Sequence, residues 1–233
     1  MSGTYKRVIR IFIGYDPREA VAFNVLSHSI QVRSSQPVAI TPINLSQLKA
    51  QMWRGRAGLQ STEFSFSRFL TPYLCNYDGW AIFMDCDMLV LDDIAKLWDF
   101  RDDKFTVQCV KHNHVPKEKT KFLNQPQTVY EKKNWSSVML LNCNKCAILT
   151  PEYVNTASGL ELHCFRWLSG ENQIGAIPHS WNHLVDYDPA KPIKEISNLH
   201  YTSGGPYYKE YSNCGYADVW KREREYMLFA GKN

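Results

Sequence analysis

The chain lacks the features that would place it outside ordinary globular proteins. No apolar run approaches the roughly 20 residues that a membrane helix needs. Residues 1–10 are polar and basic, without the apolar centre of a secretory leader. The expectation is a chain with no transmembrane segment, peripheral to a membrane at most. No internal repeat and no linker rich in Pro, Gly or Ser interrupts the 233 residues, so one unit over 1–233 is the economical reading. A strong charge of either sign is also missing. The 27 basic and 23 acidic residues leave +4, too little to argue for nucleic acid. Basic residues mostly alternate with acidic ones, as in Lys221-Arg222-Glu223-Arg224-Glu225, which reads as a solvated helix face. No Gly-x-x-x-x-Gly-Lys-Ser/Thr loop is present, which excludes a P-loop enzyme.

A dense cysteine framework is absent too. Seven cysteines are scattered from 75 to 214, several inside apolar runs. That predicts reduced thiols and a cytoplasmic protein. Cys143-x-x-Cys146 has no second ligand pair for structural zinc and reads as two small buried residues after a strand.

What is present begins with a core. Hydrophobic residues make up 44% and charged residues 21%, ordinary for a folded domain and wrong for a disordered one. Aromatics reach 13%, enough to line a pocket as well as a core. Residues 8–14 form an apolar run ending in Gly14-Tyr15-Asp16-Pro17. Asp16 can cap the helix that follows, with Pro17 at its first position, running to about Arg33. A second strand at 38–43 completes a β-α-β opening, the mark of a parallel sheet. Further strands are expected at 81–84, 88–90, 105–110, 138–142, around 177 and at 198–202. Helices are expected at 65–74, 92–100, 152–167 and 215–229. The lysine-rich segment 111–133 shows little periodicity and reads as a flap.

Asp85-Cys86-Asp87 is the strongest chemical feature. It follows the apolar run 81–84, and ligands of open α/β sheets gather where strands run out. Two carboxylates so close repel unless a cation joins them. Hard oxygen donors favour Mn²⁺ or Mg²⁺, which keep positions open for phosphates. The acidic pair Asp92-Asp93 better suits helix capping. Later, Leu199-His200-Tyr201-Thr202-Ser203-Gly204-Gly205-Pro206 joins a candidate ligand, His200, to glycines that let backbone N–H groups approach an anion.

These segments resemble glycosyltransferase family 8, the family of glycogenin and bacterial galactosyltransferases. The likeness rests on Arg68-Phe-Leu-Thr-Pro-Tyr-Leu, on 80–98 with its Asp-x-Asp and Leu97-Trp98, on Val138-Met-Leu-Leu-Asn142, on Ile177-Pro178-x-x-Trp181-Asn182, and on His200. It covers about 11–207. It implies an α/β GT-A fold, Rossmann-like, with a mixed and mostly parallel sheet flanked by helices. It also implies metal-dependent transfer of a hexose from a nucleotide sugar, UDP-linked, to a glycan or other hydroxyl acceptor. Asp85, Asp87 and His200 would hold Mn²⁺, with Mg²⁺ the alternative. Donor contacts would come from Gly14, Tyr15 as a base-stacking ring, Asp16, Cys86 and Arg68, the last otherwise a surface salt bridge. In place of the family's Asn-x-Gly stands Asn134-Trp135-Ser136-Ser137, so Asn134 and Ser136 are the candidate contacts there. Glu171, Asn172 and Gln173 stand where the family has Asp-Gln-Asp and become candidate catalytic residues, or else a polar loop. The family's late Lys is replaced by Gly204-Gly205, so their N–H groups or Lys209 would meet the diphosphate. Trp135, Trp181, Tyr201 and Tyr207 lie in or beside these segments. The family retains anomeric configuration, and no covalent nucleophile stands out here. Two other readings share the paired Asp: a metal-dependent nucleotidyl- or phosphotransferase, for which the Gly-rich basic loop after the first strand is missing, and a non-catalytic nucleotide-sugar-binding module.

Overall fold

A computed structural model describes residues 8–55, 62–113, 120, 121, 123, 125, 126 and 130–229. The expected β-α-β opening is there. Strand β1 (Ile9–Gly14) leads through a turn of 3₁₀ helix (Pro17–Glu19) into α1 (Ala20–Arg33), and β2 (Val38–Ile43) returns parallel to β1. After α2 (Thr71–Leu74) come β3 (Trp80–Met84), β4 (Met88–Val90), α3 (Ile94–Trp98) and β5 (Val107–Cys109). The short pair β6 (Thr120–Lys121) and β7 (Gln125–Pro126) precedes β8 (Val138–Asn142), α4 (Pro151–Thr156) and α5 (Gly159–His163). Then follow β9 (Ile174–Ala176), β10 (His183–Leu184), β11 (Asn198–His200) and α6 (Ala217–Leu228).

The main sheet runs β2-β1-β3-β8-β5-β9, with β8 antiparallel to both its neighbours and the other pairings parallel. The expected mixed, mostly parallel sheet is therefore borne out. The carboxyl ends of β1, β3, β5 and β9 share one edge with the start of β8. A smaller sheet, β10-β11-β4, stands beside it. Buried side chains form a large cluster on the main sheet, and a smaller one where Leu89, Leu199, Tyr201 and Trp220 meet.

Several expectations shift for local reasons. The helix expected at 65–74 is a 3₁₀ turn (Ser67–Leu70) running into α2. Pro72 lacks the N–H that would reach back to Arg68, and the Thr71 hydroxyl donates to the Arg68 carbonyl instead, at 2.8 Å. The helix expected at 152–167 breaks at Ala157, because Ser158 and Glu161 build a capping box that starts α5. The strand expected around Ile177 ends one residue earlier, since Pro178 cannot continue the ladder. β10 was not anticipated; two residues carry no readable period. Glu223 corrects the solvated-face reading of 221–225. It is buried, bonded to Arg33 at 2.6 Å and to the His28 ring at 2.7 Å, and so ties α6 to α1. Asp93 caps α3 as expected. The cysteines are unpaired, six buried and one half-buried. Much of the 111–133 flap lies outside the described residues.

Asp16 anchors the entry to α1. It is fully buried, and its carboxylate accepts from the Arg18 backbone and guanidinium and from the Glu63 N–H at 3.1 Å. Burial works to raise its pKa. The Arg18 side-chain bond, the two backbone bonds and the Arg18 charge outweigh it and hold the group below the ordinary value. A depressed folded-state pKa means stability present above the unfolded pKa and lost as pH falls through the folded one. Asp16→Asn should therefore cost about 1–3 kcal/mol near pH 7. In urea denaturation across pH, the gap to wild type should close below about pH 3.9. A gap that stays constant with pH would contradict the charge-based anchoring.

Candidate functional site

Two adjacent sheets bring the expected residues together. Asp85 and Asp87 lie in the three-residue bend between β3 and β4. Strand β4 pairs antiparallel with β11, placing Met88 opposite His200. The Tyr201 N–H donates to the Asp87 carbonyl at 2.8 Å, adding one more link at that end of the ladder. One ligand atom from each of Asp85, Asp87 and His200 lies within 4.8 Å of the others. Asp87 and His200 are buried.

The imidazole is oriented by a chain of hydrogen bonds. His200 Nδ1–H donates to Asn182 Oδ1 at 2.9 Å. Asn182 Nδ2 donates to Ser137 Oγ at 2.8 Å, and Ser137 Oγ donates to the Asn134 carbonyl at 2.6 Å. With Nδ1 turned to Asn182, the other ring nitrogen, Nε2, lies 3.4 Å from Asp87 Oδ1. The donor set, two carboxylates and one oriented imidazole, thus fits a divalent ion with open positions.

Arg68 sits beneath Asp85 at 2.7 Å, both side chains largely buried. Its guanidinium also donates to the Ser136 carbonyl at 2.9 Å and stands over the Phe64 and Phe83 rings, 5.3 and 5.2 Å from their centroids. It is therefore a buried partner of the Asp-x-Asp segment, not a surface salt bridge. Ser136 Oγ meets His163 Nδ1 at 2.8 Å. Burial first, and then the Arg68 charge, push the His163 pKa well down and keep it neutral beside the guanidinium.

The other expected residues divide. Gly14 closes β1 where a Cβ would come within 2.3 Å of the Phe64 ring, so the close approach itself requires glycine. The Tyr15 ring packs edge-on to Phe23 at 5.4 Å. The Cys86 thiol is fully buried towards Glu19, and burial first, with the nearby carboxylates, raises its pKa far up; it offers no side chain to a ligand. Asn134, left-handed at φ 66°, has a buried Nδ2 with no hydrogen-bond partner among the described residues. Trp135 donates to the His112 carbonyl and has the Lys111 and Lys132 ammonium groups 5.7 and 5.8 Å from its ring. The Gly204 N–H is not open to an anion: at φ 136° it donates to the Tyr201 carbonyl, closing the turn. Gly205 backs onto the Tyr207 ring, and Lys209 is exposed. Glu171 pairs with Lys132 at 2.5 Å and Gln173 accepts from the Ser169 N–H, so this segment's contacts run to those residues, not to the carboxylate pair. Asn172 stands between them in the same turn, Glu171–Gln173. Trp181 and Tyr201 belong to the two cores.

Sequence reasoning missed Glu19, a buried carboxylate that accepts from the Tyr207 hydroxyl at 2.9 Å and lies behind Cys86. Asn182 and His163 were also missed as site residues. Only the Trp181-Asn182 pair carried a signal.

No protein-family model matches the chain. Protein CDI of Arabidopsis thaliana is 51% identical over 230 residues, 94% of this chain and 87% of the relative. The chain belongs to the Protein CDI family. Among solved structures, the bifunctional glycosyltransferase WbbM aligns with a TM-score of 0.66 at 13% identity, over 98% of this chain and 52% of its own. GlyE of Streptococcus pneumoniae TIGR4 aligns at 0.63 and 13% identity, over 94% of this chain and 60% of its own. The galactosyltransferase LgtC, solved with donor and acceptor sugar analogues, aligns at 0.59 and 11% identity, over 96% and 98%. This chain thus spans about half the length of WbbM. At such identities the likeness is one of fold, and the family member described here has the GT-A fold of these glycosyltransferases. Among the described residues, no helix is long and apolar enough to cross a membrane.

The Arg68–Asp85 pair is the site's clearest electrostatic dependence. Arg68→Met should cost about 3–5 kcal/mol, because it leaves a carboxylate buried without its cation. Adding Asp85→Asn should recover most of that loss in urea denaturation. Additive losses would show that the pair is not coupled.

Proposed function

We propose that this protein is a metal-dependent glycosyltransferase of the family 8 type, acting over 1–233 as one GT-A unit in the cytoplasm. It moves a hexose from a UDP-sugar to a glycan or other hydroxyl acceptor, with retention. The observation that carries this reading is the meeting of Asp85, Asp87 and His200 within 4.8 Å at the carboxyl edge of the sheet. A divalent ion held there, Mn²⁺ or Mg²⁺, supplies the positive charge that a leaving diphosphate requires.

The chain's own residues do the rest. Asn182 fixes His200 in the tautomer that offers Nε2 to the ion. Arg68 holds Asp85 in place and adds positive charge behind the carboxylates. The buried Nδ2 of Asn134 offers a donor to a sugar or phosphate oxygen. Exposed Lys209 supplies the cation that the late glycines do not, and Glu171, Asn172 and Gln173 are the candidate sugar contacts. Since no side chain is placed as a nucleophile in this reading, the acceptor attacks from the face that the diphosphate leaves, with the donor's diphosphate helping to take its proton.

Thermal unfolding with UDP, with and without Mn²⁺, tests the donor site. At roughly 100-fold over Kd, binding stabilises by about 2.7 kcal/mol, or roughly 5–10 °C for a chain of this size. Asp87→Asn should abolish that shift, and with it metal-dependent hydrolysis of a nucleotide sugar, while the unliganded fold persists. Unchanged turnover in Asp87→Asn sinks the reading. UDP binding without hydrolysis or transfer for any nucleotide sugar in a panel would leave a binding module instead. Asn182→Ala should weaken Mn²⁺ binding about 10–100-fold, read by titration calorimetry.

A further inference from the structure

A second group of metal-ligating side chains converges away from the aspartate pair. His112, His179 and Asp188 each place one ligand atom within 4.8 Å of the others. We infer that these three residues bind a divalent transition ion of the zinc class, at a site separate from the one formed by Asp85, Asp87 and His200.

The fold explains why they meet. His112 follows β5, and His179 opens the 3₁₀ turn (His179–Asn182) after β9. Those two strands are parallel neighbours, so both chains leave the sheet at the same edge. The rings stand edge to face, 5.1 Å between centroids. Asp188 comes from the segment after β10. Its Oδ2 accepts from the Leu184 N–H at 2.7 Å, which fixes the carboxylate before any ion arrives.

The His179–Asp188 separation and the donor chemistry both suit zinc. Ligands about 2.0–2.1 Å from a tetrahedral Zn²⁺ stand roughly 3.3–3.4 Å apart. His179 Nε2 and Asp188 Oδ2 are 3.4 Å apart. Two imidazoles and one carboxylate are richer in nitrogen than the aspartate pair, and nitrogen donors favour Zn²⁺ over Mn²⁺ or Mg²⁺. Three protein ligands leave a fourth position for water or for another imidazole. His183 stands beside Asp188. It is almost fully buried, with Nδ1 3.8 Å from the same Asp188 oxygen and an Nε2 that makes no hydrogen bond among the described residues. His112 is buried and His179 is about half exposed, so the cluster has an anchored side and an open side. A simple ion pair between His179 and Asp188 would contribute little at such exposure and would not account for a buried second imidazole beside it.

The two clusters share a segment. The turn that begins with His179 ends with Asn182, the residue that orients His200. An ion on His179 and Asp188 would pin both ends of the 179–188 stretch.

The test uses metal-free full-length protein carrying Asp87→Asn, which removes a ligand from the first cluster. Calorimetric titration with Zn²⁺ should show one equivalent bound. His179→Ala should weaken that binding at least 100-fold, and Asp188→Asn at least 10-fold. Thermal unfolding of each variant without metal checks that it is folded. Co²⁺ should give visible bands of a four-coordinate nitrogen and oxygen site. Unchanged Zn²⁺ affinity in His179→Ala, no stoichiometric binding, or a thiolate charge-transfer band that assigns the ion to cysteine would each overturn the inference. None of these readouts involves sugar transfer, so the outcome stands apart from that of the proposed activity.

Discussion

The site rests on one electrostatic constraint: Asp85 and Asp87 are two residues apart, largely buried, and repel each other. Burial in a low-dielectric surrounding magnifies that repulsion. Such a pair persists only where positive charge is built in. Arg68 provides it, standing over two phenylalanine rings and bonded to the Ser136 carbonyl. A guanidinium is always charged and planar, so it can face aromatic rings while its in-plane donors reach the carboxylate and the carbonyl. His163 beside it stays neutral, so no second positive charge competes for the same space. Arg68 is bonded to Asp85, while Asp87 Oδ1 lies 3.4 Å from His200 Nε2, the ring nitrogen opposite the one that Asn182 holds. The two carboxylates therefore sit in different surroundings within one small cluster.

Reaching this arrangement takes two sheets. The main sheet delivers Asp85 at the end of β3. The small sheet delivers His200, because β4 leaves the aspartates and immediately pairs with β11. A register slip of one residue would turn His200 to the opposite face. Leu89, Leu199, Tyr201 and Trp220 pack together and fix that register from behind. Stability and site geometry are thus the same interaction seen from two sides of one short ladder.

The amino-acid sequence makes the opening β-α-β unit, the Asp-x-Asp and its histidine partner legible, because each carries local signals: a capped helix, an apolar run, a turn. β2 and β8 match their expected bounds, 38–43 and 138–142. What stayed hidden has a common cause. Glu19, Glu223, Asn182 and His163 are polar residues whose roles come from partners distant in sequence, and nothing in their immediate neighbours announces burial. Glu223 shows the problem sharply. It sits in an alternating charged run that reads as solvated, yet Arg33 and His28 hold it inside. Glycine misled in the opposite direction. Gly204 does adopt the positive φ that its type allows, but its N–H closes a turn and is not left for a phosphate.

The segment 179–188 connects the separate parts of this site edge. It supplies Asn182 to the His200 relay, His179 and Asp188 to the second cluster, and β10 to the small sheet. Trp135 adds a link from the other side, since its indole donates to the His112 carbonyl while the preceding Asn134 carbonyl takes the end of the relay. The chain of bonds from Asn134 through Ser137 and Asn182 orients the His200 ring, whereas the link to His112 runs through its backbone carbonyl. His179 and Asn182 stand three residues apart in one 3₁₀ turn, so the covalent chain joins the two clusters without a larger rearrangement of the sheet.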